Sequence, residues 1–92
     1  MSATLIVRHP VADYATWRAV YDSEAVKALH SKYGVSSAKV LRSPDDSNDV
    51  LVLHDFTEVD QANAFAADPA LQEAMSRGGV SAPPRIEVFE LA

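Results

Sequence analysis

Two histidines stand near the ends of strongly apolar segments. His9 follows Leu5-Ile6-Val7, and His54 follows Val50-Leu51-Val52-Leu53. Imidazole titrates near neutral pH, so each can move a proton or orient a ligand at a pocket mouth. Two hydrogen-bonded strand-end histidines without chemistry would read the same way. Arg8 beside His9 offers a guanidinium that can grip a carboxylate or enolate, as does Arg42; intersubunit ion pairs explain both equally well. Tyr14, Trp17 and Tyr21 recur at helical spacing and can form a stacking wall for a flat ligand, or simply a core stripe.

Other groups carry less. Asp55 follows His54 and points to the opposite face of its strand, beside a helix N-terminus or toward Arg8. Asp45, Asp46 and Asp49 lack the glycine and closing glutamate of a calcium loop, which leaves a solvated turn and no metal. His30 near a helix end is accounted for by the helix dipole. The nucleotide, zinc-hydrolase and serine-hydrolase signatures are absent.

These side chains need a scaffold. Ninety-two residues with 48% apolar and 23% charged content make one globular domain, residues 1–92. A domain this size has a limited core, and without cysteine neither disulfides nor thiolate zinc can help it. A partner subunit is the remaining aid. The net charge of −5, with eight scattered basic residues, argues against nucleic acid. No leader or membrane-spanning run is evident, and a cytoplasmic location is expected.

The first strand is expected over Ala3 to His9, apolar on both faces and closed by Pro10. Asp13 caps a helix from Tyr14 to about Tyr33, with Tyr14, Trp17, Tyr21, Ala25 and Ala28 as its inner stripe and Gly34 as its left-handed stop. Val35 to Arg42 and Val50 to Phe56 flank a turn-rich segment and read as a hairpin. Thr57 with Asp60 resembles a capping box for a second helix, which Asp68-Pro69 restarts. Arg85 to Leu91 is the last strand.

This order is ferredoxin-like βαββαβ: an α+β domain with a four-stranded antiparallel sheet. Its first and third strands are expected as central neighbours, running parallel to each other. Helices cover one face of such a sheet. The other face is apolar along its middle, which predicts a homodimer with sheets packed face to face.

The segments Val7-Arg8-His9-Pro10-Val11-Ala12-Asp13-Tyr14, Trp17, Tyr21-Asp22, Ser43 to Val50, Ala64-Phe65-Ala66, Asp68 to Met75, Gly79-Val80 and Pro83-Pro84-Arg85-Ile86 span nearly the whole chain. Together they resemble small bacterial proteins of the dimeric α+β barrel superfamily, cyclase-like or antibiotic-biosynthesis-monooxygenase-like. The resemblance implies a homodimer with a pocket between sheet and helices or within the joined barrel. It implies activities ranging over cofactor-independent oxygenation of aromatic polyketides, polyketide cyclisation, haem degradation and lactone isomerisation. Relatives that are oxygenases place Trp, Tyr, Asn or Arg around an aromatic substrate without metal or flavin, and Trp17, Tyr21 and Arg8 are such types. His54 stands where similar sequences often carry an aromatic residue.

The expected function is therefore a cofactor-free monooxygenase or cyclase for a small apolar, aromatic or polyketide-type ligand. His9 would be acid/base, Arg8 would stabilise developing negative charge, His54 would share the pocket mouth, and Trp17, Tyr21 and Tyr14 would hold the ligand. The alternatives are a non-catalytic ligand-binding or stress-associated homodimer and a regulatory amino-acid-binding domain. An acylphosphatase is disfavoured, because Pro10 and Val11 occupy the place of a glycine-rich phosphate cradle.

Overall fold

The computed structural model describes residues 2–92. Its elements run β1 (Ala3–Pro10), α1 (Tyr14–Tyr21), α2 (Glu24–Tyr33), β2 (Ser37–Arg42), β3 (Asp49–Phe56), α3 (Val59–Ala67), α4 (Pro69–Arg77) and β4 (Arg85–Glu90). The sheet order is β2-β3-β1-β4, with every neighbouring pair antiparallel. The α+β class and the antiparallel four-stranded sheet are as the sequence implies.

Two expectations are corrected. The first and third strands are antiparallel, not parallel. A helical crossover makes β1 and β2 run the same way; the hairpin then reverses β3, which pairs with β1 from Ala3↔Phe56 to Pro10↔Asp49. The helix expected from Tyr14 to Tyr33 is two helices. Asp22 ends α1, and Ser23, in an extended conformation, caps α2 by accepting from the Val26 amide. This break shifts the helical phase. Ala25 and Ala28 are exposed, and Val26, Leu29, His30 and Tyr33 face inward instead. The spacing i, i+3, i+4, i+7 is that of an amphipathic helix counted from its own start.

The remaining termini follow local chemistry. Asp13 Oδ2 accepts from the Thr16 amide at 3.0 Å and starts α1. Gly34, at φ +74°, ends α2 in the left-handed region. The capping residue of α3 is Glu58, not Thr57: the Glu58 amide donates to Gln61 Oε1 at 3.1 Å, completing a capping box one residue later than expected. Asp68 closes α3 and caps α4, with Pro69 at the first helical position.

Alternation along the strands separates two sheet faces. Ala3, Leu5, Val7 and His9 of β1, with Val50, Val52, His54 and Phe56 of β3, are buried beneath the helices. The opposite face carries Ile6, Leu51 and Leu53, half-buried at its centre, with Leu41 and Phe89 exposed beside them. The Arg8–Asp49 and Arg85–Glu87 ion pairs also lie on this side. Among the described residues, no helix is long and apolar enough to cross a membrane.

At the His9 end the loops are stitched together. The Val11 amide donates to the Asn48 carbonyl, the Ala12 amide to the Gly79 carbonyl, and the Ser81 amide to the Pro10 carbonyl. Asn48 Oδ1 also accepts from the Tyr14 amide at 3.0 Å. The β2–β3 turn thus sets where α1 begins, and with it where Trp17 lands.

Candidate active site

Every histidine of the chain, its one tryptophan and Tyr21 line a single cavity between sheet and helices. From β1 come Val7 and His9, and from β3 come Val52 and His54. Trp17, Val20 and Tyr21 descend from α1, and Val26 and His30 from α2. Leu71, Ala74 and Met75 close the cavity from α4. Its volume is about 40 Å³, room for about three ordered waters. A ring-sized ligand therefore needs lining side chains to shift. Met75, unbranched and pliant, is suited to that.

The register fixes how the histidines relate. His9 faces Val50 and His54 faces Leu5, so they share the buried face but stand four residues apart along the sheet. At about 3.4 Å per residue, their Cα atoms differ by roughly 13 Å along the strands. They mark opposite ends of the cavity. Aromatic rings span the interval. His9 meets Trp17 edge-on at 5.7 Å between ring centroids, and Trp17 stacks on Tyr21 at 5.0 Å. Tyr21 meets His30 at 5.5 Å, His30 meets His54 at 5.3 Å, and Phe65 backs His54 at 5.2 Å.

Burial sets the protonation states. His9 and His54 are each only 3% exposed. Desolvation pushes His54 down to about 4, helped by the nearby His30, against weaker opposing effects from a Leu5 backbone hydrogen bond and the Asp55 charge. Desolvation also lowers His9, opposed by backbone hydrogen bonds and the Asp49 charge, and it lowers His30. It raises Tyr21, which keeps its phenol proton. All three imidazoles are therefore neutral at pH 7. His9 Nδ1, His54 Nδ1 and the Tyr21 hydroxyl have no hydrogen-bond partner. Buried polar atoms are normally paired, so three orphans on residues that line one cavity set this region apart from the rest of the core.

Of the expected residues, His9, His54, Trp17 and Tyr21 are brought together. Tyr14 stands behind Trp17 at 5.9 Å and lies under the Arg42 guanidinium at 4.1 Å. Arg8 is not in this cavity. As the strand neighbour of His9 it points to the open face, where its guanidinium donates to both Asp49 oxygens, at 3.2 and 2.8 Å. Asp55 likewise faces away, accepting from Thr4 and Ser37 hydroxyls at 2.8 and 2.7 Å. His30 is a lining residue that sequence reasoning read only as a partner of the helix dipole. Its signal was Ser23 before Glu24, a helix start that rephases the following residues. Among the described residues, no group of three His, Cys, Asp or Glu side chains is placed to hold a metal.

A shallow groove on the outer surface runs between α2 and α4, lined by the small residues Ala25, Ala70 and Ala74 with Val26, Leu29, Glu73 and Arg77. Val26 and Ala74 border both this groove and the inner cavity.

The fold is the one seen in solved structures described as antibiotic biosynthesis monooxygenases. The chain belongs to the family described as a domain of unknown function, DUF3764, which matches residues 4–82. A point variant of SnoaB, a cofactor-independent oxygenase from Streptomyces nogalater, is 19% identical with a TM-score of 0.74, covering 98% of this chain and 92% of that one. The monooxygenase from the gene ActVA-Orf6 of Streptomyces coelicolor, solved with nanaomycin D, is 19% identical with a TM-score of 0.72, covering 99% and 88%. A Caulobacter crescentus protein assigned to the antibiotic biosynthesis monooxygenases is 14% identical with a TM-score of 0.76, covering 99% and 90%. At these identities the likeness is one of fold. No curated protein matches the chain.

Proposed function

We propose that this protein binds a small, largely apolar aromatic or polyketide-type ligand in the sheet–helix cavity and acts on it by cofactor-free proton transfer, as a monooxygenase or cyclase. The observation that carries this reading is the set of three buried, unpaired polar atoms on residues that line one aromatic cavity. A neutral imidazole can take a proton from an activated C–H or phenol; the imidazolium so formed is then the counter-charge for the substrate anion. His9 is the acid/base of this reading, and His54 orients or shares the proton. Trp17 and Tyr21 are the stacking wall, with Tyr14 behind them. In an oxygenation the anion supplies the electrons and adds to dioxygen with formation of a C–O bond. The hydroperoxide then loses water as a C=O forms, so one oxygen atom stays and the other leaves as water. In a cyclisation the anion adds to an internal carbonyl, whose oxygen takes up the proton. The likeness to a cofactor-independent oxygenase adds weight.

The same reading has the chain working as a homodimer, its open sheet faces packed together with Arg8–Asp49 at the rim. The small, uncharged cavity favours a second reading, a non-catalytic ligand carrier. Aerobic incubation with anthrone- and quinol-type substrates separates the two. Turnover that drops 10²-fold or more in His9→Ala supports the enzyme. Turnover indifferent to His9→Ala and His54→Gln removes the site assignment, and tight retention without turnover supports the carrier.

A further inference from the structure

We infer that the cavity takes an uncharged ligand bearing a hydroxyl-type group at each of two ends, one held by His9 and the other by His54 with Tyr21 and His30. This deepens the proposed function and rests on it. Three observations combine.

The first is charge. Among the described residues, no Asp, Glu, Lys or Arg lines the cavity. The charges that reach it lie outside. Asp49 acts on His9 from the end of β3, Asp55 acts on His54 from the other sheet face, and the Arg18–Asp22 pair lies beside Tyr21. Burial outweighs them at both buried histidines. A carboxylate or ammonium ligand would give up its hydration here with no opposite charge to meet it.

The second is polarity. His9 Nδ1 stands alone at one end, and His54 Nδ1 and the Tyr21 hydroxyl stand at the other. A neutral imidazole presents Nδ1 as either donor or acceptor according to its tautomer, and a phenol does both. A ligand hydroxyl also does both, so it satisfies every one of these groups in either tautomer. A carbonyl or ether can only accept.

The third is shape. The ends are separated by the stacked Trp17–Tyr21 pair, whose ring faces make up the middle of the wall. The ligand is polar at its tips and apolar along its body.

The chain is suited to the test, since it contains three histidines and one tryptophan, all in the cavity. Hydroquinone, phenol, p-xylene and benzoate are titrated at pH 7 while the imidazole and indole NMR signals are followed. Hydroquinone is expected to shift both His9 and His54 signals and to bind at least tenfold tighter than phenol, with benzoate at least tenfold weaker than phenol. In Tyr21→Phe, the hydroquinone-to-phenol affinity ratio falls toward one. Hydroquinone no tighter than phenol, or shifting His9 alone, overturns the two-ended site and leaves the proposed function standing. Benzoate matching phenol overturns the uncharged-ligand inference. If no ring compound shifts any of these signals, the proposed function fails together with this inference.

Discussion

Gly78→Ala tests how the cavity is held to its size. Gly78 is buried and has right-handed backbone angles, φ −76° and ψ −2°, which any residue adopts. The left-handed turn falls on Gly79 instead, at φ +78°. What forbids a side chain at 78 is Trp17. A Cβ there would lie 3.0 Å from Trp17 Cδ1 and 3.3 Å from the Ala74 carbonyl oxygen. Carbon atoms in contact settle at about 3.5–4.0 Å, so the indole must give by a few tenths of an ångström. Overpacking of this kind costs about 1–3 kcal/mol, against about 0.4–1 kcal/mol returned by the stiffer unfolded chain. The net expectation is a loss of about 1–2 kcal/mol, or roughly 4–16 °C in melting temperature for a domain of this size. Urea unfolding followed by Trp17 fluorescence measures the single change. Trp17→Phe and the double variant, followed by circular dichroism, complete a thermodynamic cycle. The smaller phenyl ring relieves the contact, so the two changes should couple by about 0.5–2 kcal/mol. Strict additivity, or an indole NMR signal unmoved by Gly78→Ala, would refute the reasoning.

Further outcomes follow from the titrating groups and the open face. The folded-state pKa of His54 lies near 4, below the usual 6.5, so the unfolded chain binds its proton first. Stability is full above pH 6.5 and falls as the pH drops toward 4, by about 3 kcal/mol from His54 alone. His9 and His30 add to this loss with the same sign, whereas Asp49, Asp55 and Asp68, lowered by their hydrogen bonds, lose their contribution at still lower pH. Denaturation midpoints that stay flat from pH 6.5 to 4, or that fall equally in His54→Phe, would contradict this. Leu53→Lys places a charge at the middle of the open sheet face. Sedimentation should show the native chain as a dimer and this variant as a folded monomer, and a monomeric native chain would end the dimer reading.

The strands were legible because their chemistry is local. Val50 to Leu53 are contiguous and β-branched or apolar, Pro10 terminates its ladder, and Asp68-Pro69 spells a helix start. Strand direction was not local. It follows from the sense of a crossover and a hairpin, and it reverses the separation of His9 and His54. The helix break at Asp22-Ser23 was missed because Tyr14, Trp17 and Tyr21 set a phase that Ala25 and Ala28 happen to continue. Small alanines are tolerated on either face, so they carried no warning, and His30 was displaced with them. The two cavity histidines and the aromatic wall were legible as residues, and their distance apart was not. Arg8 shows the opposite case. Alternation along β1 alone sends it away from His9, and Asp49, its cross-sheet partner, became visible only through the β1–β3 register.

The alanines between α2 and α4 bear on rates as much as on binding. Val26 and Ala74 are all that the cavity and the outer groove share, so the wall is thinnest there. At the far end, three loops are bound to one another through the backbone of Val11, Ala12 and Ser81. On the proposed reading traffic is one-sided: a guest passes between α2 and α4, while the end beside His9 stays shut. Bulk added at position 74 would narrow the passage for arrival and departure alike. How long a guest stays is thereby separated from how tightly it is held.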